Sequence, residues 1–118
     1  MNIEIKNGIA FIHSNEIIIT DAQSALDLIA TVRYEVDCDY IAIPKSAVNE
    51  DFFMLSTGVA GEILQKFVNY QVKLAIIGDY SKYTSKPLRD FIYESNNGSH
   101  IFFVATEDEA VERLSGVF

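Results

Sequence analysis

Two short, nearly continuous apolar runs constrain this chain most. Tyr40-Ile41-Ala42-Ile43 stops at Pro44, and Val72-Lys73-Leu74-Ala75-Ile76-Ile77 stops at Gly78-Asp79. A strand with one wet face alternates apolar and polar residues, so runs of this kind read as strands covered on both faces, the mark of a parallel sheet between helices. Between the two runs, Val59, Ala60, Ile63, Leu64, Phe67 and Val68 recur at helical spacing. The stretch is therefore predicted to form a strand, a helix and a second strand parallel to the first, joined by a right-handed crossover.

The flanks extend this unit. Ile3-Glu4-Ile5 and Ile9-Ala10-Phe11-Ile12 surround Lys6-Asn7-Gly8, and Asn-Gly supplies the positive φ angles of a tight hairpin turn. Ile17-Ile18-Ile19 is expected to add a short strand. Thr20 with Gln23 reads as a capping box for a helix over residues 21–35, with Ala22, Ala25, Leu26, Ile29 and Val32 on its buried face. Beyond the second run, Pro87 suits the first turn of a helix with Leu88, Phe91 and Ile92 buried, ended by Asn96-Asn97-Gly98. Ile101-Phe102-Phe103-Val104 is the last expected strand, and Thr106 with Glu109 forms a second capping box for a helix carrying Ala110, Val111 and Leu114. The expected architecture is a single α/β domain over residues 1–118, with a mixed, mainly parallel sheet of four or five strands and helices chiefly on one face.

Composition narrows the function. With 17 acidic against 9 basic residues the formal charge is −8, a field that repels phosphate backbones, so no nucleic acid partner is expected. Cys38 is the single cysteine, which excludes an internal disulfide framework and a multi-thiolate metal cluster within one chain. No metal or cofactor is expected. His13 and His100 stand alone beside apolar runs and read as structural. The longest apolar runs are strand-length, so no membrane span is expected, and Met1 to Lys6 lacks the pattern of a signal peptide. A cytoplasmic location is the expectation.

In an open sheet with parallel strands, ligands bind beyond the carboxyl ends of the strands. That edge collects Lys45 and Ser46 after one strand, Asp79, Tyr80 and Ser81 after the next, and Ala105 and Thr106 after the last. Two readings stand side by side: a shallow polar pocket or docking face, and ordinary turn chemistry with Asp79 bonding its own backbone and Thr106 capping. Lys82, Tyr83, Lys86 and Arg89 follow Tyr80 as a small basic, aromatic cluster on an acidic chain, suited to a small anionic ligand or an acidic partner surface, or else to a solvated loop whose lysines serve solubility. Asp79 with Lys45 or Ser46 is the one grouping fit for acid–base work, and it lacks a histidine, a metal motif or a phosphate-binding glycine loop. Phe52 and Phe53 are adjacent, which leaves at least one exposed or packed beneath the loop. Gly58 and Gly61 each cost a helix about 1 kcal/mol against alanine, and are read as sites of close helix packing.

The segment Leu55-Ser56-Thr57-Gly58-Val59-Ala60-Gly61 resembles the hydroxyl-hydroxyl-glycine helix start of the STAS domain, shared by sulphate transporters and bacterial anti-sigma-factor antagonists, and the surrounding elements follow the same order. The resemblance implies a STAS-like fold and a protein partner. In the antagonists the first hydroxyl of this motif belongs to a serine phosphorylated by a partner kinase; that position maps to Ser56, with Thr57 beside it as a second candidate phosphoacceptor. An aspartate usually precedes that serine, where this chain has Leu55. Read from the residues alone, both hydroxyls serve as helix caps, worth about 1 kcal/mol.

Over its full length the chain also resembles a family of small bacterial proteins sharing a domain of unknown function, through Glu50-Asp51-Phe52-Phe53, Ala60-Gly61-Glu62-Ile63-Leu64-Gln65-Lys66, Gly78-Asp79-Tyr80-Ser81 and Asp90-Phe91-Ile92-Tyr93-Glu94-Ser95-Asn96. That resemblance implies a bacterial cytosolic origin and carries no activity. The expected function is a regulatory or protein-interaction module, switched at a helix N-terminal hydroxyl, with a protein partner or a second copy of itself. The alternative is a small-ligand-binding protein or small enzyme using the loop edge around Lys45 and Asp79.

Overall fold

Asn7 (φ 54°) and Gly8 (φ 76°) turn the chain back on itself, so β1 (Asn2–Lys6) and β2 (Ile9–His13) pair antiparallel with Lys6 opposite Ile9. The computed structural model describes residues 1–115; residues 116–118, the end of the expected domain, lie outside the described residues. After the hairpin come α1 (Ala22–Val36), β3 (Tyr40–Pro44), α2 (Val59–Tyr70), β4 (Lys73–Ile77), α3 (Lys86–Asn96), β5 (Ile101–Val104) and α4 (Glu107–Ser115). The sheet runs β1-β2-β3-β4-β5, parallel from β2 onward. The two apolar runs that predicted a parallel pair are neighbours, with Ile41 opposite Leu74 and Ile43 opposite Ile76.

The strand order explains where the helices lie. Each parallel strand is added on the same side of the previous one, and crossovers of one hand then place every connecting helix on the same face. Ala25, Leu28, Ile29 and Val32 of α1, Ala60, Ile63 and Phe67 of α2, and Leu88 of α3 pack with Ala10, Ile12, Ile41, Ile43, Leu74, Ile76, Ile101 and Phe103 of the sheet. Only α4, which leads to no further strand among the described residues, covers the opposite face. There, register aligns Phe11, Ala42, Ala75 and Phe102 in a row across four strands. The two central alanines leave a trough, and Ala110 and Leu114 of α4 are buried in it. The helices sit chiefly on one face, as expected, and the five strands are mixed and mainly parallel.

Several local expectations are corrected. Ile17 to Ile19 forms no strand; Ile19 makes a single bridge to Val48, and Ile18 and Ile19 both donate to the Ala47 carbonyl. The first capping box is Asp21 with Ser24, one residue beyond the predicted pair: Asp21 Oδ1 accepts from Ser24 N at 2.8 Å, and Ser24 Oγ accepts from Asp21 N at 3.0 Å. Gln23 instead donates to Asp27 one turn on. Phe52 and Phe53 are both buried, because they lie in a 3-10 turn, Glu50–Phe53, laid across the core. Gly61 is not a site of close packing, since a Cβ there would meet nothing within 4 Å. Gly58 is required for another reason: it opens α2 with φ 77°, in the left-handed region.

Candidate functional site

The carboxyl ends of β3 and β4 are joined by one side chain that threads a gap. Lys45 follows β3, and its stem runs past Gly78, where an added Cβ would lie 2.5 Å from Lys45 Cβ. Glycine at 78 is what allows the lysine through. The stem is mostly covered, 15% exposed, and the ammonium lies over the rings of Phe53 (4.8 Å) and Tyr83 (5.0 Å) while donating to Glu50 Oε1 at 3.4 Å. Attraction between a cation and a ring face adds to the ion pair.

Glu50 is the hub of this arrangement. Its Oε2 accepts the Tyr83 hydroxyl at 2.5 Å and lies 3.4 Å from Lys82 Nζ. Partial burial pushes the Glu50 carboxyl upward, but the Tyr83 hydrogen bond and the charges of Lys45 and Lys82 outweigh it and hold the group below its ordinary value. The Tyr83 phenol is raised, by burial and then by the bond to Glu50. Tyr80 is raised further, chiefly by burial, and donates to the Ile76 carbonyl at 2.5 Å. Beneath them Phe53 stacks on Tyr83 (centroids 5.0 Å, 17°), and Tyr80 meets Phe103 edge-on at 5.5 Å. The loops after β3 and β4 are thus clamped by aromatic packing, a charged hydrogen bond and a mostly covered lysine stem.

The structure brings together Lys45, Tyr80, Lys82 and Tyr83 of the predicted residues. Asp79 is adjacent but turned aside: its Oδ1 accepts from Ser81 N at 2.9 Å, and that backbone bond is the first cause holding its carboxyl low, with Lys45 a lesser one. Ser46 is exposed and outside the cluster. Lys86 pairs with Asp90 one turn along α3 at 2.6 Å. Arg89 is exposed and, with Ile92, Tyr93 and Asn96 at helical spacing, forms one wall of an open groove of about 510 Å³ whose other wall is the loop carrying Tyr80 and Tyr83. Thr106 caps α4 by accepting from Glu109 N at 3.1 Å, as its spacing predicted. The residue missed from sequence is Glu50, although it begins one of the phrases that carried the full-length resemblance.

The hydroxyls of the Leu55–Thr57 turn divide. Thr57 Oγ1 donates within the turn, with the Met54 and Asp51 carbonyls at 2.8 and 3.0 Å, and accepts from Val59 N at 3.2 Å. Ser56 is exposed and its hydroxyl makes no bond within the described residues, and Met54 beside it is 54% exposed. Gly58, at the N-cap of α2, offers no side chain to the first backbone N–H groups. Elsewhere, His13 pairs with Glu4, His100 contacts Ser99, and Cys38 donates to the Gly8 and Tyr40 carbonyls. Among the described residues no group of three or more His, Cys, Asp or Glu converges to hold a metal ion, and no helix is long and apolar enough to cross a membrane.

These features define a single α/β domain with a five-stranded mixed sheet, four helices and a clamped, aromatic loop edge. The chain belongs to the family described as domain of unknown function DUF4180, whose model matches residues 5–114. Among solved structures it is similar to a candidate anti-sigma factor antagonist from Thermotoga maritima, at 16% identity over 96% of this chain and 92% of that one, with a TM-score of 0.49. No curated protein matches the chain.

Proposed function

We propose that this domain is a regulatory or protein-interaction module whose partner docks on the face holding the Leu55–Thr57 turn and the clamped loops after β3 and β4. The observation that carries this reading is Ser56: an exposed, unbonded hydroxyl near exposed Met54, held on a structured turn three residues before the first residue of α2, whose start has no side-chain cap. A phosphate on Ser56 would add about −1.5 to −2 of charge next to backbone N–H groups at the positive end of α2. Thr57 suits that role less, because modification would break the bonds that hold the turn.

The test is capture of partners from the source cell by the wild-type chain and by Ser56→Asp, Ser56→Ala and Met54→Glu, with mass-spectrometric mapping of phosphate on the native protein. A partner held by wild type and Ser56→Ala and released by Ser56→Asp and Met54→Glu supports the reading. A partner set that ignores all three substitutions overturns it. The alternative, a small-ligand site or small enzyme, draws on the influence of Lys45 on Asp79. The Lys45 ammonium is directed to Glu50 and Asp79 to Ser81, which makes the pair a polar rim instead of a joined acid–base couple.

A further inference from the structure

We infer that the groove along α3 receives an extended acidic segment of a partner protein carrying one aromatic or large apolar side chain. This rests on the interaction-module reading and names the chemistry such a partner must offer. Shape is the first argument. The groove of about 510 Å³ adjoins a second concavity of about 310 Å³, and the two share Thr84, Arg89 and Tyr93, which makes one elongated trough. Ser81, Thr84, Arg89 and Tyr93 are all exposed along it. A compact ligand is normally bound with most of its surface covered, which an open trough does not provide, whereas an extended chain needs only one side held.

The lining sets the side chains. The phenol groups of Tyr80 and Tyr83 are committed to the Ile76 carbonyl and to Glu50, so what these residues present to the trough is ring surface. Tyr93, 70% exposed, stands at the rim as an uncovered aromatic. Arg89 sets the charge. Lys45, Lys82 and Lys86 are each held by a carboxylate, but Arg89 makes no ion pair among the described residues. A guanidinium free of ion pairs in a groove lined by tyrosines matches a carboxylate flanked by an apolar group, because its planar fork donates to the acid bidentately and its face can stack. The chain's overall charge of −8 opposes an acid at long range, but beyond about 8 Å it is screened at physiological salt and the local cation decides.

Asn96 excludes another mode of binding. Its side-chain amide donates to the Phe103 carbonyl at 3.2 Å and accepts from the Phe103 N–H at 2.7 Å. The free edge of β5 is thereby occupied at Phe103, where the groove meets it, so a segment lying here is recognised through its side chains and not by adding a strand.

The test is fluorescence anisotropy of the full chain with a labelled peptide of glutamates flanking one phenylalanine. The comparison probes are the same peptide with serine for phenylalanine, the same peptide with lysines for glutamates, and free N-acetylphenylalanine as competitor. The acidic aromatic peptide is expected to bind best, to weaken as salt rises, and to lose about tenfold in affinity with Arg89→Glu and a smaller factor with Tyr93→Ala. Lys66→Glu, on α2, makes the same change in net charge away from the groove and is expected to leave binding unchanged. Circular dichroism melts confirm that each variant is folded. No binding, equal binding by Arg89→Glu, an equal loss with Lys66→Glu, or competition by N-acetylphenylalanine at the peptide's own affinity would each overturn the inference. Partner capture that responds to Ser56→Asp but not to Arg89→Glu overturns it while leaving the module reading standing. Capture that responds to Arg89→Glu and not to Ser56→Asp supports the groove and removes the Ser56 switch.

Discussion

The bond between Tyr83 and Glu50 offers the sharpest test of the clamp. Tyr83→Phe deletes one hydroxyl and keeps the ring stacked on Phe53, while Glu50→Gln removes the charge and keeps the shape. A hydrogen bond to a charged group contributes about 1.5–3 kcal/mol where water is excluded. The Glu50 side chain is 53% exposed, so water competes and we place the coupling at about 1 kcal/mol, with the exposed pair to Lys82 adding little. For a domain of this length that is about 4 °C in Tm for either single substitution. Chemical denaturation of wild type, both single variants and the double variant forms the cycle, and the double variant is expected to lose less than the sum of the singles.

The pH dependence follows from the sign of the shift. Glu50 titrates below its ordinary carboxylate range in the folded chain, so its contribution is complete well above that ordinary range and is lost as pH falls through the lower folded value. The stability gap between wild type and Glu50→Gln is therefore expected to be constant near neutrality and to close in acid. An additive cycle, or a gap that widens as pH falls, would refute the clamp.

Three further substitutions separate causes that look alike in sequence. Gly61→Ala enters open space and is expected to stabilise by up to about 1 kcal/mol through helix propensity, whereas Gly58→Ala, at φ 77°, is expected to destabilise by about 1 kcal/mol; thermal melts read both signs. Gly78→Ala drives a Cβ to 2.5 Å from Lys45 Cβ and is expected to cost about 1–3 kcal/mol, with the Lys45→Gly background, which removes that atom, relieving most of it. Asn96→Ala strips both partners from the Phe103 backbone, with an expected loss of about 1–3 kcal/mol and a concentration-dependent rise in sedimentation rate as the β5 edge opens.

The order of strands and helices was legible in the sequence because period and punctuation are local. Pro44 and Gly78 stop β3 and β4, Asn7-Gly8 turns the hairpin, and Thr106 caps α4. Local chemistry also misled where two neighbours compete for one role. Thr20 and Asp21 both suit an N-cap, and only the backbone path selected Asp21 with Ser24. The three glycines 58, 61 and 78 read alike as letters. Tertiary structure alone gave them different reasons: a left-handed cap, open solvent, and the passage of a lysine stem.

The site shows the same division. Tyr80, Tyr83, Lys82 and Arg89 were legible as a cluster because they are close in sequence. Glu50 was not, since its partner Tyr83 is 33 residues away and the two meet only because β3 and β4 are parallel neighbours. The sequence by itself determined the five strands and four helices, their parallel order and the acidic character of the chain. That α4 alone covers the opposite face, which glycine is indispensable and which carboxylate meets which lysine were decided by the tertiary packing, which brings distant residues within bonding distance and leaves no trace in local periodicity.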